Sequence, residues 1–276
     1  MKRILVPTAC DEPSARALRL ATAISKKNNA RVYVLRVVKT HGGAYFDNDG
    51  EIVQDGAHDI QKYVDQKTEE TERLKKWTTA INPEAFQVIK YGGVANVILD
   101  TIKKYKVGLV IMGNEHVEED KSIFFGDLTS HLIKKSTSPI LSLKSEITTD
   151  NLNNIVFANE FDHKLSYYDA LQDLHVLCNA KIDLLRINIP EGSSEEDVKE
   201  NMDYFARSNM IKDFSKNVYN TGQKPEPGIV EWISNNPCDI LAVKNITKRG
   251  GSPLFRKKLS NQFLKNTRVS TLIYND

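Results

Sequence analysis

Apolar positions in this chain come in short runs separated by amphipathic stretches, the rhythm of strands alternating with helices. Residues 107–112, Val-Gly-Leu-Val-Ile-Met, form a β-branched run of strand length that stops at Gly113. A polar loop follows over 114–122. Gly126 and Asp127 then open a stretch, 128–135, with apolar residues at 128, 132 and 133, which is helical spacing. Residues 136–138 break it, and 139–143 read as another strand. Strand, glycine, long loop, glycine, helix and strand is how an α/β fold builds a site beyond the carboxyl ends of its strands. A glycine there lets backbone approach a ligand, and a helix start offers free N–H groups to an anion.

The same rhythm precedes this stretch. Residues 3–7 form a strand. Pro13 and Ser14 open a helix to about residue 27, with Ala15, Leu18, Ala21 and Ile24 on its apolar face. Residues 30–38 form the second strand. Residues 39–56 read as a loop, in which Asp47, Asp49 and Gly50 are too few to make a calcium loop. A long charged helix is expected over 57–81 and a third strand over 86–91. After the Gly92-Gly93 break comes a third helix, marked by Val94, Val97, Ile98, Thr101 and Ile102. This alternation over residues 1–144 predicts a parallel sheet with helices on both faces.

After a short polar stretch, 145–153, the pattern restarts. Residues 179–187, NAKIDLLRI, repeat 29–37, NARVYVLRV. Residues 154–158 repeat the first strand, 239–243 the fourth and 269–274 the fifth. Phe255, Leu259 and Phe263 match Phe124, Leu128 and Leu132 of the helix between the last two. The second copy is about 20 residues shorter, and the loss falls between its second and third strands.

Composition narrows the function. The 276 residues carry 38 basic and 36 acidic side chains, a net charge of +2, which is no electrostatic footprint for nucleic acid. No apolar run approaches the roughly 20 residues that span a bilayer, and the basic start lacks an apolar stretch long enough for a signal peptide. Cys10, Cys178 and Cys238 are odd in number and scattered, which fits a reducing cytoplasm and argues against a disulfide framework or zinc site. The histidines, His41, His58, His116, His131, His163 and His175, show no metal-ligand spacing, and no nucleophile elbow or Walker lysine is present. The expectation is a cytoplasmic protein that is not an enzyme and has neither a nucleic-acid nor a membrane partner.

The separation of Gly113 from Gly126 equals that between the first and last glycines of the C-terminal motif of the universal stress protein domain, and the chain resembles that family. Ile4-Leu-Val-Pro-Thr8 followed by Glu12-Pro-Ser14 looks like its N-terminal signature, and Gly92-Gly93 stands where the family has a glycine before its third helix. The resemblance implies a sheet order of 3-2-1-4-5 in each copy. The expected fold is two tandem doubly wound α/β domains, 1–144 and 154–276, each a five-stranded parallel sheet, joined by a linker at 145–153. Family dimers pair through their last strands, so 139–143 and 269–274 are expected to pair edge to edge as an intramolecular pseudo-twofold pair.

In nucleotide-binding members of the family an Asp at the end of the first strand contacts base or ribose. Ala9 holds that position here, and Glu160 its counterpart in the second copy. The motif's middle glycine is His116 and its closing hydroxyl is Asp127. Asp127 is expected to cap the fourth helix and to put its carboxylate where a phosphate would sit. In the second copy Lys244 and Lys257 replace the glycines, within a basic rim able to hold an anion. The resemblance implies ATP or AMP as candidate ligands. It places a remnant site at Thr8, Ala9, Val38, Met112, Gly113, His116, Gly126, Asp127 and Leu128. Two functions stay open: a non-enzymatic stress-response or interaction module with decayed nucleotide sites and a protein partner, or an adenine-nucleotide-binding regulator using the first copy's site.

Overall fold

Strand β1 (Arg3–Thr8) is apolar on both faces, and Ile4, Leu5 and Val6 are fully buried, as a central parallel strand requires. In this computed structural model, which describes residues 1–38, 44–46, 52–55, 60–114, 123–161, 167–245 and 267–275, the chain divides into two units. One is Lys2–Ser138; the other is Met1 with Pro139–Asp276.

In the first unit β1 pairs in parallel with β2 (Arg31–Val38) and β6 (Leu109–Gly113), and β2 pairs with β5 (Phe86–Tyr91). The order β5-β2-β1-β6 is the expected 3-2-1-4. Helix α1 (Glu12–Asn28) packs on β6 and β1 through Ala15, Leu18, Ala21 and Ile24, all buried. Its start is set by Asp11, whose carboxylate accepts the Ser14 N–H at 3.0 Å, and its end by Asn29 in the left-handed conformation. Helix α2 (Ile60–Ile81) packs on β5 and β2, and α3 (Val94–Lys104) packs on β2 and on α4 (Ile123–Lys135).

Two expectations change here. The 39–56 stretch is not only loop: β3 (Ala44–Phe46) and β4 (Ile52–Asp55) form an antiparallel pair, because Tyr45-Phe46 and Ile52-Val53 are strand formers on either side of turn residues. Asp47, Asp49 and Gly50 lie outside the described residues. Helix α4 begins at Ile123, ahead of Gly126 and Asp127, because Phe124 continues the Leu128–Leu132 spacing by one turn. Asp127 is therefore inside the helix and is not its N-cap.

The second unit repeats the plan. Strands β8 (Asn154–Ala158), β9 (Lys181–Ile187), β10 (Phe214–Tyr219), β11 (Ile240–Asn245) and β12 (Ser270–Asn275) are parallel in the order β10-β9-β8-β11-β12, again 3-2-1-4-5. Helices α5 (Asp169–Cys178), α6 (Glu195–Ser208) and α7 (Pro225–Asn235) connect them. Only α6 lies between β9 and β10, which accounts for the shorter second copy. Strand β7 (Ile140–Leu143), fifth in the first repeat, belongs to this unit and pairs antiparallel with β12, Leu141 opposite Leu272. The helix expected around Phe255 and Leu259 lies outside the described residues.

The stretch after β7, expected as a linker, is held by several contacts. Ile147 and Leu152 are buried, and the Asp239 carboxylate accepts the N–H groups of Asn153 and Asn154, both at 2.8 Å. The Lys144 ammonium donates to the Thr267 carbonyl. His175, buried in α5, accepts the Lys212 N–H at Nε2 and so donates from Nδ1 to the Ala180 carbonyl at 2.7 Å. Among the described residues no helix is long and apolar enough to cross a membrane.

Candidate functional site

The carboxyl ends of β1, β2 and β6 leave a crevice, the place where open α/β sheets hold ligands. It is a cleft of about 680 Å³ in the first unit. The β1–α1 turn supplies Pro7, Thr8 and Ala9, β2 supplies Leu35 to Val38, and β6 supplies Met112 and Gly113. Val94 and Ile98 of α3, Leu128 of α4 and Gln66 and Glu70 of α2 complete the wall.

Thr8, Ala9, Val38, Met112, Gly113 and Leu128, singled out from the sequence, thus face one cleft. Gly126 and Asp127 lie in α4, just ahead of Leu128; the Asp127 side chain lies outside the described residues. So do His116, the acidic Glu118, Glu119 and Asp120, and Lys257.

The turn after β1 is built from its own hydrogen bonds. Thr8 Oγ1 accepts the Cys10 N–H at 2.8 Å, and Ser14 Oγ accepts the Ala9 N–H at 3.3 Å. The Ala9 N–H, a possible contact for a base edge, is thus already engaged. Cys10 takes a left-handed conformation, φ 60°, to close the turn. Burial pushes its thiol up, against the opposing pull of the Arg36 and Arg73 guanidiniums.

The main polar feature of the cleft is a pair that sequence spacing does not reveal. Arg36 on β2 donates from Nε and Nη2 to the two carboxylate oxygens of Glu70 on α2, at 2.9 and 3.0 Å. Both side chains are largely buried, 19% and 15% exposed, so the pair fixes α2 to the sheet and is more than a solvated surface contact. The hydrogen bond from Arg36 holds the Glu70 carboxyl below its ordinary range despite partial burial, and the nearby charges of Arg36 and Arg73 add to this.

At the corresponding strand position of the second unit the guanidinium is held by the protein's own backbone. Arg186 occupies the position of Arg36 in the repeated strand: Arg36 lies opposite Thr8 in the ladder, and Arg186 follows the Leu185–Ala158 pair. Its Nη1 donates to the carbonyl of Glu160 at 2.6 Å and its Nε to the carbonyl of Asn188 at 3.0 Å, and the side chain is buried. Glu160 stands at the counterpart of Ala9. Beside it Phe157, Phe161, Tyr168 and Phe205 pack ring on ring with centroids 4.9 to 6.0 Å apart. Lys244, at the first glycine position of this copy, lies in β11 opposite Tyr274. Among the described residues no group of three or more His, Cys, Asp or Glu side chains is placed to hold a metal ion.

Comparison with known proteins agrees with this architecture. The sequence model of the Universal stress protein family matches residues 1–144. A universal stress protein of Methanocaldococcus jannaschii is 26% identical over 149 residues, covering 52% of this chain and 82% of that protein. The crystal structure of a universal stress protein from Archaeoglobus fulgidus superposes over 99% of this chain and 98% of its own, with a TM-score of 0.71 and 13% identity. The crystal structure of a universal stress protein, described as putative, from Pseudomonas aeruginosa covers 100% of this chain and 93% of its own, with a TM-score of 0.60 and 11% identity. At those identities the superpositions speak for the fold alone, and they do so along the whole chain. With the family's sequence model matching more than half of its length, this chain belongs to the universal stress protein family.

Proposed function

We propose that this protein is a non-enzymatic stress-response module that binds a nucleoside or nucleoside monophosphate in the cleft of its first unit. The observation behind the reading is the cleft itself: about 680 Å³ of space beyond the strand ends, in the size range of small-molecule sites. Val38, Ile98, Met112 and Leu128 give it apolar walls suited to a flat ring. The phosphate end departs from the family pattern, with His116 in place of a glycine and Asp127 in place of a hydroxyl. An added carboxylate repels a phosphate chain, so AMP-sized ligands are favoured over ATP.

A second reading, an interaction module without any nucleotide, is favoured by Ala9, which offers no carboxylate to a ribose. The two are separated by mass spectrometry of what co-purifies with the native protein, together with thermal-shift scans with nucleosides, AMP and ATP. The binding reading expects a shift with AMP that exceeds the shift with ATP and is abolished by Leu128→Trp, which fills the cleft. No shift with any of them sinks it and leaves the interaction module.

A further inference from the structure

Away from the cleft, the amino ends of the first unit's strands carry a ladder of rings and cations. Tyr33 on β2 stacks both on Phe86 of β5, with centroids 5.3 Å apart, and on Tyr105, the residue that closes α3, at 4.6 Å. The Arg31 guanidinium lies over the Phe86 ring, 6.0 Å from its centroid, and the Lys104 ammonium lies over Tyr105 at 5.9 Å. Tyr33 is buried, but Phe86 is 50% exposed. Arg31, Lys103, Lys104 and Lys106 are exposed too, and the acidic residues adjacent to them in sequence are Glu84 and Asp100. The expectation of no nucleic-acid partner rested on the charge of the whole chain, +2, which averages over this end.

The fold does not demand these residues, because the second unit builds the same end without them. In its ladders Asp183 holds the position of Tyr33 and Ser215 that of Phe86, and the Ser215 hydroxyl donates to the Asp183 carboxylate. At the shift that brings β11 onto β6, residues 103–106, Lys-Lys-Tyr-Lys, correspond to 234–237, Ser-Asn-Asn-Pro. The backbone supports that match: the Gly108 N–H donates to the Arg3 carbonyl at 2.8 Å, and the Asp239 N–H to the Asn154 carbonyl at 3.0 Å. Helix α7 ends with no basic residue in its last turn, so the Lys103-Lys104 pair is not needed to close the equivalent helix α3.

We propose that this ladder is a docking site for single-stranded nucleic acid. The open Phe86 ring takes a base on its face, and the cations on either side of the stack take the phosphates; aromatic faces set in a basic rim are how sequence-tolerant single-strand sites are built. Arg31 serves both needs, since a guanidinium stacks on flat rings and pairs with phosphate. An acidic peptide would use the cations and leave the stacked rings without a role, and a duplex hides its base faces. The site lies at the strand ends opposite the cleft and does not depend on the nucleoside-binding reading above.

The test is fluorescence anisotropy of the full chain with labelled thymidine and uridine strands of about twelve nucleotides. It uses wild type, Phe86→Leu, and the double variant Arg31→Gln with Lys104→Gln. Leucine keeps an apolar side chain and removes the ring; thermal melts confirm that each variant is folded. The expected result is binding of at least one strand, the tighter of the two identifying the preferred sugar. Phe86→Leu should weaken it at least about fivefold, and the double variant should bind more weakly with a shallower salt dependence. Unlabelled single strand should displace the probe, and duplex or polyglutamate at equal charge should not. No binding of either strand at about 50 mM salt overturns the proposal. So does displacement by duplex or polyglutamate as effective as by single strand, or unchanged binding by Phe86→Leu.

Discussion

A Cβ on residue 113 would lie 1.9 Å from the carbonyl oxygen of Pro13 and 2.1 Å from its carbon. Gly113 closes β6, Pro13 lies in the first turn of α1, and the two backbones meet where the cleft begins. The glycine is therefore required by the packing of α1 on the sheet, whether or not a ligand is bound. Backbone cannot swing aside as a flexible side chain can, so Gly113→Ala should destabilise the first unit by about 3 kcal/mol or more. Urea denaturation measures it; a loss under about 1 kcal/mol would mean that α1 is free to shift.

The Arg36–Glu70 pair makes a prediction about acid. Because Arg36 holds the Glu70 carboxyl below its ordinary 4.5, the folded state binds that proton less readily than the unfolded chain does. The contribution is complete above the unfolded value and is lost as pH falls through the folded one. Wild type should lose its advantage over Glu70→Gln as pH falls below about 5 into the acid range, read from urea midpoints at each pH. Parallel curves for the two proteins across that range would show that the pair does not couple folding to protonation.

Much of this fold is legible in the sequence because its central strands are buried on both faces. Ile4-Leu-Val and Leu109-Val-Ile announce themselves as apolar runs, and the repeat of 29–37 in 179–187 announces the second copy. The start of α4 was harder to read. Gly126 looks like a helix boundary, yet Phe124 carries the apolar spacing past it, and the helix runs through the glycine despite its cost of about 1 kcal/mol. The cleft was legible only in part. Thr8, Ala9, Met112 and Gly113 stand at strand ends, where the family resemblance picks them out. Arg36 sits inside an otherwise apolar strand, and its partner lies on α2, beyond a hairpin. No local spacing connects the two; a charged residue within the run Tyr33-Val-Leu-Arg-Val-Val38 was the one available signal.

Lys144 predicts the opposite end of the pH scale. Burial pushes its ammonium down from 10.5 to about 8. Between those values the unfolded chain binds the proton and the folded one does not, so stability rises with pH across that window. Wild type should gain on Lys144→Met between about pH 8 and pH 10, while the hydrogen bond to the Thr267 carbonyl persists in either charge state. A constant difference between the two proteins over that range would place the ammonium in water.

Cys238 should be a poorly reactive thiol in the native protein. Burial pushes it up to about 12, with Asp239 and Asp183 adding to the effect, so little thiolate exists near neutrality. Alkylation at about pH 8 followed by peptide mass spectrometry should modify Cys238 at least about tenfold faster in urea than in buffer. Equal rates would mean that the thiol is already open to solvent in the native protein.

The antiparallel pairing of β7 with β12 has a consequence for how the chain acquires its structure. Leu141 leaves the ribosome with the first repeat, but its partner Leu272 belongs to the last strand of the second. The edge of β7 that receives β12 must wait for almost the whole of the second repeat to be synthesised. A contact this distant in sequence carries a large loop-closure entropy and closes late. Through that interval the exposed edge is a template for other nascent chains, and the lysine and glutamate that follow it, Lys144 and Glu146, are the nearest gatekeepers against such pairing. The repeats share one plan, yet the second unit takes a strand from the first, so that unit closes only once β12 has been made.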